Sequence, residues 1–133
     1  MSGLLVYLIV LVLVFVLDLI WIGLIAKKFY VTELSPIARW SGGGMSPDWP
    51  SAILVYLLIS LGIVAMALPL AEDNIFAALA YGGLFGFITY GIHDLTNYST
   101  LNSFSLKMAL VDIGWGTFLG AAAGLTGGIL YSL

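Results

Sequence analysis

The chain has no cysteine, one histidine and only four lysines and arginines among its 133 residues. The first absence excludes disulfides, thiolate nucleophiles, zinc–thiolate sites and iron–sulfur ligation. With His93 alone, bis-imidazole haem ligation, histidine-rich di-iron centres and the H-E-x-x-H protease motif are excluded as well. The scarcity of basic side chains, beside seven Asp and Glu and a net charge of -3, leaves no phosphate-neutralising stripe and removes nucleic acid as a partner. No lysine lies deep in an apolar run, so a retinal Schiff base is excluded. No G-x-S-x-G elbow accompanies Ser99, Ser103 or Ser105, and the glycine runs lack the strand–turn–helix setting of a phosphate loop. No cofactor and no dedicated metal site is expected.

Charge is scarce because hydrocarbon is abundant. Hydrophobic residues make up 62% of the chain and charged residues 8%, whereas soluble domains are about 45–50% apolar and about 25% charged. A chain this short lacks the interior volume to hide the excess, so its solvent is lipid. Four runs, at about 4–26, 52–70, 75–95 and 108–130, are each long enough as helices to cross a hydrocarbon core of about 30 Å. None alternates with period two, and helices satisfy their own backbone groups in lipid. The expected fold is all-α, a small bundle of four transmembrane helices forming a single transmembrane domain over 1–133. The N-terminus has no early basic residue and stays apolar through Ile25, so the first run reads as retained rather than as a cleaved signal.

Pro50 fits the first turn of span two, and Glu72-Asp73-Asn74 forms a tight polar turn that caps span three. The long connection 27–49 contains Gly42-Gly43-Gly44, read as a flexible turn. Ahead of it, Tyr30 to Trp40 reads either as a short interfacial helix or as an irregular headgroup-level strip. Lys27, Lys28, Arg39 and Lys107 fall in the first and third connections. The positive-inside rule then places both connections in the cytoplasm and both termini outside, in a bacterial case periplasmic.

Ionisable residues at membrane depth are costly and face a bundle interior, a partner or a wet cavity. Asp18 lies past the middle of span one, Asp94 near the end of span three and Asp112 in the first turns of span four, all toward the cytoplasmic side. Asp18-x-x-Trp21 and Asp112-x-x-Trp115 each place an indole on the same helix face as a carboxylate. Tyr90, Asp94 and Asn97 share a face of span three, with His93 beside Asn97. These eight residues form the candidate ligand pocket, with Trp21 and Trp115 as its walls, suited to a cation, an exchanged proton, or an amine or alcohol. Each also has a plainer explanation: tryptophans belong to interfacial belts, Asp112 complements a helix dipole, and Asp94 near the interface is solvated.

Gly116, Gly120, Gly124 and Gly128 recur at every fourth residue, a smooth ridge for close helix contact. Ala78, Gly82 and Gly86 echo it in span three. The ridge therefore serves either a contact between spans three and four or a homodimer or higher homo-oligomer across span four.

The string Tyr90-Gly-Ile-His-Asp-Leu-Thr-Asn-Tyr-Ser-Thr-Leu101, with the two D-x-x-W elements, resembles the bacterial predicted-membrane-protein family called domain of unknown function 2177. The resemblance covers nearly the whole chain. It implies a four-helix inner-membrane protein and lends weight to Asp18, Asp94, Asn97 and Asp112, while His93, where the family often has tyrosine, is weakened as an essential base. The leading expectation is a protein that binds, or passes in a transport-like way, a small molecule or cation. A membrane enzyme acting on a lipid or hydrophobic metabolite and a structural or accessory subunit are the alternatives, and membrane lipid is a partner in every case.

Overall fold

The computed structural model describes residues 1–133. Four helices are long and apolar enough to cross a membrane. Helix α1 (Gly3–Ile25) starts at Ser2, whose hydroxyl accepts the Leu5 amide, and its last turn, Trp21–Ile25, widens to π geometry. Its buried residues are Val6, Val10, Val14 and Asp18, a single stripe at every fourth position. Helix α2 (Lys27–Leu34) follows at once and ends before Pro36. It thus begins three residues ahead of the strip expected to be interfacial, and folds back so that Tyr30 packs on Phe104, Met108 and Ala109.

The glycine run is ordered. Strands β1 (Trp40–Ser41) and β2 (Gly44–Met45) pair antiparallel, with Trp40 opposite Met45. Gly42 and Gly43 both take positive φ, 59° and 83°, as a two-residue type I′ hairpin requires. The flexible turn expected there is a defined hairpin, and a backbone bond from the Ser46 amide to the Arg39 carbonyl extends it.

Helix α3 (Trp49–Leu70) is capped by Asp48, with Pro50 in its first turn. Pro69 has no N–H to offer the carbonyl four residues earlier, and the preceding turn, Ile63–Ala67, relaxes to π geometry. The turn to helix α4 (Ile75–Thr100) puts Glu72 and Asp73 in the left-handed region, and Asn74 caps the helix by accepting the Ala77 amide. Helix α4 runs five residues past the expected end of span three. Its polar tail stays helical because Ser99 and Thr100 turn their hydroxyls back onto the Thr96 carbonyl. Ser105 caps helix α5 (Leu106–Tyr131) by accepting the Met108 amide.

Short connections make α3, α4 and α5 antiparallel neighbours, and the most extensive helix contact is between α4 and α5. A Cβ added at Gly120 would strike the Gly82 carbonyl, one at Gly86 the Gly116 carbonyl, and one at Gly124 the Ala78 carbonyl. The two backbones therefore meet directly, which maximises dispersion contact where lipid leaves no hydrophobic drive between helices. Of the two roles expected for the glycine ridge, the contact with span three is the one observed, and the ridge is consumed within the chain. The valine stripe of α1 and Ile63 of α3 close over Leu119 and Ala123 of α5. Lys27, Lys28, Arg39 and Lys107 all fall at one end of the bundle, called the basic end below.

Candidate functional site

The carboxyl groups sit at one depth. Asp18 is seven residues before the end of α1, Asp94 six before the end of α4 and Asp112 six after the start of α5, so each lies roughly 10 Å inside its helix end. The longer α4 corrects the expectation for Asp94: this residue is one to two turns inside the bundle, 1% exposed, and is not a solvated interfacial group.

Asp18 enters because it continues the valine stripe toward α5. One of its oxygens accepts the Trp115 indole N–H at 2.9 Å and the other accepts the Tyr56 hydroxyl at 2.5 Å. On the second helix, Asp112 accepts the Tyr30 hydroxyl at 2.7 Å, and Tyr30 in turn accepts the Trp21 indole N–H at 3.0 Å. The two D-x-x-W elements are thus interlocked. Each tryptophan serves the aspartate of the other helix, Trp115 directly and Trp21 through Tyr30. The antiparallel run of α1 and α5 makes this possible, since Asp-to-Trp points toward the basic end on α1 and away from it on α5. The indoles stack face to face between the carboxylates, with centroids 4.7 Å apart and planes 6° from parallel. A charge-assisted hydrogen bond contributes about 1.5–3 kcal/mol and a stacked aromatic pair about 0.5–1.5 kcal/mol, so the arrangement is held as one rigid unit.

Tyr30, which lies outside the membrane-spanning helices, has its hydroxyl pKa raised above the ordinary phenol range, by burial first and by the Asp112 carboxylate next. It therefore remains an O–H donor at every physiological pH. The Asp94 carboxyl lies within hydrogen-bonding reach of Asp112, while its Oδ2 has no partner at all. Two carboxyl groups in contact are bridged by a proton or by a cation.

A cavity of about 380 Å³ reaches this cluster between α1, α3 and α4. Asp18, Asp112, Tyr90 and His93 supply its polar lining, and Ile22 and Ile59 its apolar one. Further from the basic end, Val14, Ile63 and Leu119 are fully buried in the helix core.

The family model described as Predicted membrane protein (DUF2177) matches residues 3–129. The chain belongs to this family. No curated protein and no solved structure matches it.

In this DUF2177 protein four of the eight residues expected to form the pocket line the cavity, Asp18, Tyr90, His93 and Asp112, while Trp21 and Trp115 bond to its carboxylates, Trp21 through Tyr30, and Asp94 lies beside Asp112 without lining it. Tyr90 lies beneath Gly116, whose missing side chain leaves room for the phenol ring. His93 is exposed at the cavity edge, and Asn97 pairs with its ring at 3.4 Å rather than with any carboxylate. Two residues were missed. Tyr56 lies seven positions into α3, level with Asp18, and that depth match is a signal the sequence carries. Tyr30 carries no such signal, since only the fold-back of α2 brings it to Asp112.

Proposed function

We propose that this protein binds a small organic cation, an amine or ammonium group on a small molecule, in the carboxylate-lined cavity at the basic end. One observation carries the reading: three buried carboxyl groups share one level and no basic side chain reaches them. Lys107, the only basic residue within a spanning helix, lies over the Phe29 ring, 5.5 Å from its centroid. Buried charge in a membrane protein is compensated by a partner, a cation or a proton. Nowhere do three or more His, Asp or Glu converge as metal ligands, which favours an organic cation over a chelated metal. Tyr90 adds an aromatic ring to the cavity lining, and aromatic rings attract ammonium ions.

Titration of the reconstituted protein with ethanolamine, choline and tetramethylammonium, followed by tryptophan fluorescence, tests this. A saturable change for at least one cation, lost in Asp18→Asn and in Asp112→Asn, is expected. No saturable response, or a response unchanged in Asp18→Asn, contradicts it.

The Asp94–Asp112 contact supports a second reading, a membrane enzyme in which this pair handles a proton. Product formation from a lipid or hydrophobic metabolite that is abolished in Asp94→Asn, with ligand binding retained, would establish that reading.

Concentration of all basic residues at one end supports a cytoplasmic placement of that end in a bacterial inner membrane. Because the chain has no cysteine, single substitutions report topology cleanly. An impermeant maleimide applied from outside should label Ser2→Cys and Ser132→Cys but not Ser103→Cys, and the reverse pattern overturns the placement.

A further inference from the structure

A second cavity, about 510 Å³, lies between α1 and α3 beneath the hairpin. Asp18 and Ile22 line both this cavity and the ligand cavity and so form the partition between them. Its walls are apolar, with Leu19, Ile22 and Gly23 on α1 and Ala52 on α3. Its rim is charged, with Arg39 presented by the hairpin and Asp48 at the start of α3. A trough of hydrocarbon character roofed by ionic groups, at the end of two membrane helices, has the polarity profile of a phospholipid at the interface.

The rim is chemically open. Asp48 uses one oxygen, Oδ2, for both of its bonds to Ser51, amide and hydroxyl, and its Oδ1 has no partner. These bonds, with a smaller contribution from nearby Arg39, hold the Asp48 carboxyl below the usual carboxylate range. It is therefore an anion at neutral pH. The Arg39 guanidinium, a planar five-donor fork suited to phosphate oxygens, donates no hydrogen bond to the protein. The Arg39 carbonyl is tied to the Ser46 amide at 2.9 Å, so the backbone that carries the fork is fixed. Gly23 adds the remaining feature: a Cβ built there meets no atom within 4 Å. The space beside it belongs to the groove.

The geometry points to a binding site for one zwitterionic aminophospholipid, its phosphate on Arg39, its ammonium on Asp48 Oδ1 and an acyl chain in the groove of Leu19, Ile22, Gly23 and Ala52. A cation and an anion on one rim complement a headgroup that carries both charges, whereas a purely anionic headgroup would meet Asp48 unfavourably. The site shares only its Asp18 and Ile22 wall with the cation cavity and uses neither Asp94 nor Asp112, so Asp112→Asn separates the two readings.

Native mass spectrometry of the full-length, delipidated protein offered equal phosphatidylethanolamine, phosphatidylcholine and phosphatidylglycerol tests the site. One phosphatidylethanolamine should be retained in preference, because only its headgroup offers both a phosphate and N–H donors. Arg39→Gln should weaken retention about tenfold, the size of one charge-assisted contact. Asp48→Asn, which still caps α3, should erase the preference over phosphatidylglycerol. Gly23→Phe should abolish retention with the thermal midpoint unchanged, because the ring fills open space, while Asp112→Asn should leave retention intact. Equal retention of the three lipids, or full retention in Gly23→Phe, would reduce the site to annular lipid and overturn the proposal. Displacement by glycerophosphoethanolamine alone, without acyl chains, would overturn it in favour of a water-soluble phosphate ester.

Discussion

The two halves of the bundle use the same helices for opposite ends. In the far half, α1 offers Val6, Val10 and Val14, and α5 offers Gly128, Gly124 and Gly120, so contacts are dry and partly backbone on backbone. One helical turn further toward the basic end, each stripe changes character at the same four-residue spacing: Val14 gives way to Asp18, and Gly116 to Asp112. A register that builds a dry interface thus also aims two carboxylates inward. The difference teaches that the far half fixes the helices while the basic half, lined with cavities, spends that rigidity on positioning polar groups. Substitutions in the two halves should consequently fail in different ways.

The largest effect is expected in the far half. Gly120→Leu places a side chain against the Gly82 carbonyl, which no rotamer avoids. A loss of about 3 kcal/mol or failure to fold is expected, read by denaturant titration in detergent. In the basic half, Trp115→Phe removes the donor to Asp18 while keeping an aromatic ring against Trp21. Destabilisation of about 2 kcal/mol and loss of cation binding should follow. Should Trp115→Phe instead bind cations normally, the interlocked tryptophans would be mere packing.

Tyr30→Phe is a gentler probe, removing one hydroxyl from the chain Trp21–Tyr30–Asp112. About 1 kcal/mol is expected, with binding weakened rather than lost, measured by the same two titrations. Asp48 is fully exposed, and its contribution is small but has a definite sign. Its folded pKa is depressed, so its stabilising cap is present above the ordinary carboxylate pKa and is lost as pH falls through the lower folded value. Thermal midpoints of Asp48→Asn should therefore fall less between pH 5 and about pH 2.5 than those of the unaltered chain. Smallest of all, Glu72→Asn at the far-end turn, where φ is 48°, should stabilise by roughly 0.5 kcal/mol, because asparagine tolerates the left-handed region better.

The spans were legible because lipid imposes a length and a polarity that no soluble helix shares. Asp18 was legible from depth alone, and more sharply from its place in the Val6, Val10, Val14 stripe. The end of α4 was not, since hydropathy falls at Leu95 while the backbone, supported by hydroxyls folded onto Thr96, stays helical to Thr100. That error placed Asp94 at the interface. The hairpin was written in Gly42-Gly43, which favours paired positive φ, yet three glycines read equally as slack. Pairing of His93 with Asn97 shows the reverse limit: polar residues clustered in sequence turned to each other rather than to the carboxylates. Tyr30 belongs to tertiary structure alone.

The most direct test of the account is the thermal midpoint of the Asp18→Asn/Asp112→Asn double variant, with and without a saturating ammonium ligand, beside the unaltered chain. The account expects the ligand to raise the midpoint of the unaltered chain and to leave that of the folded double variant unmoved, since the far half still holds the helices while the site is gone. An equal rise in both proteins would contradict it.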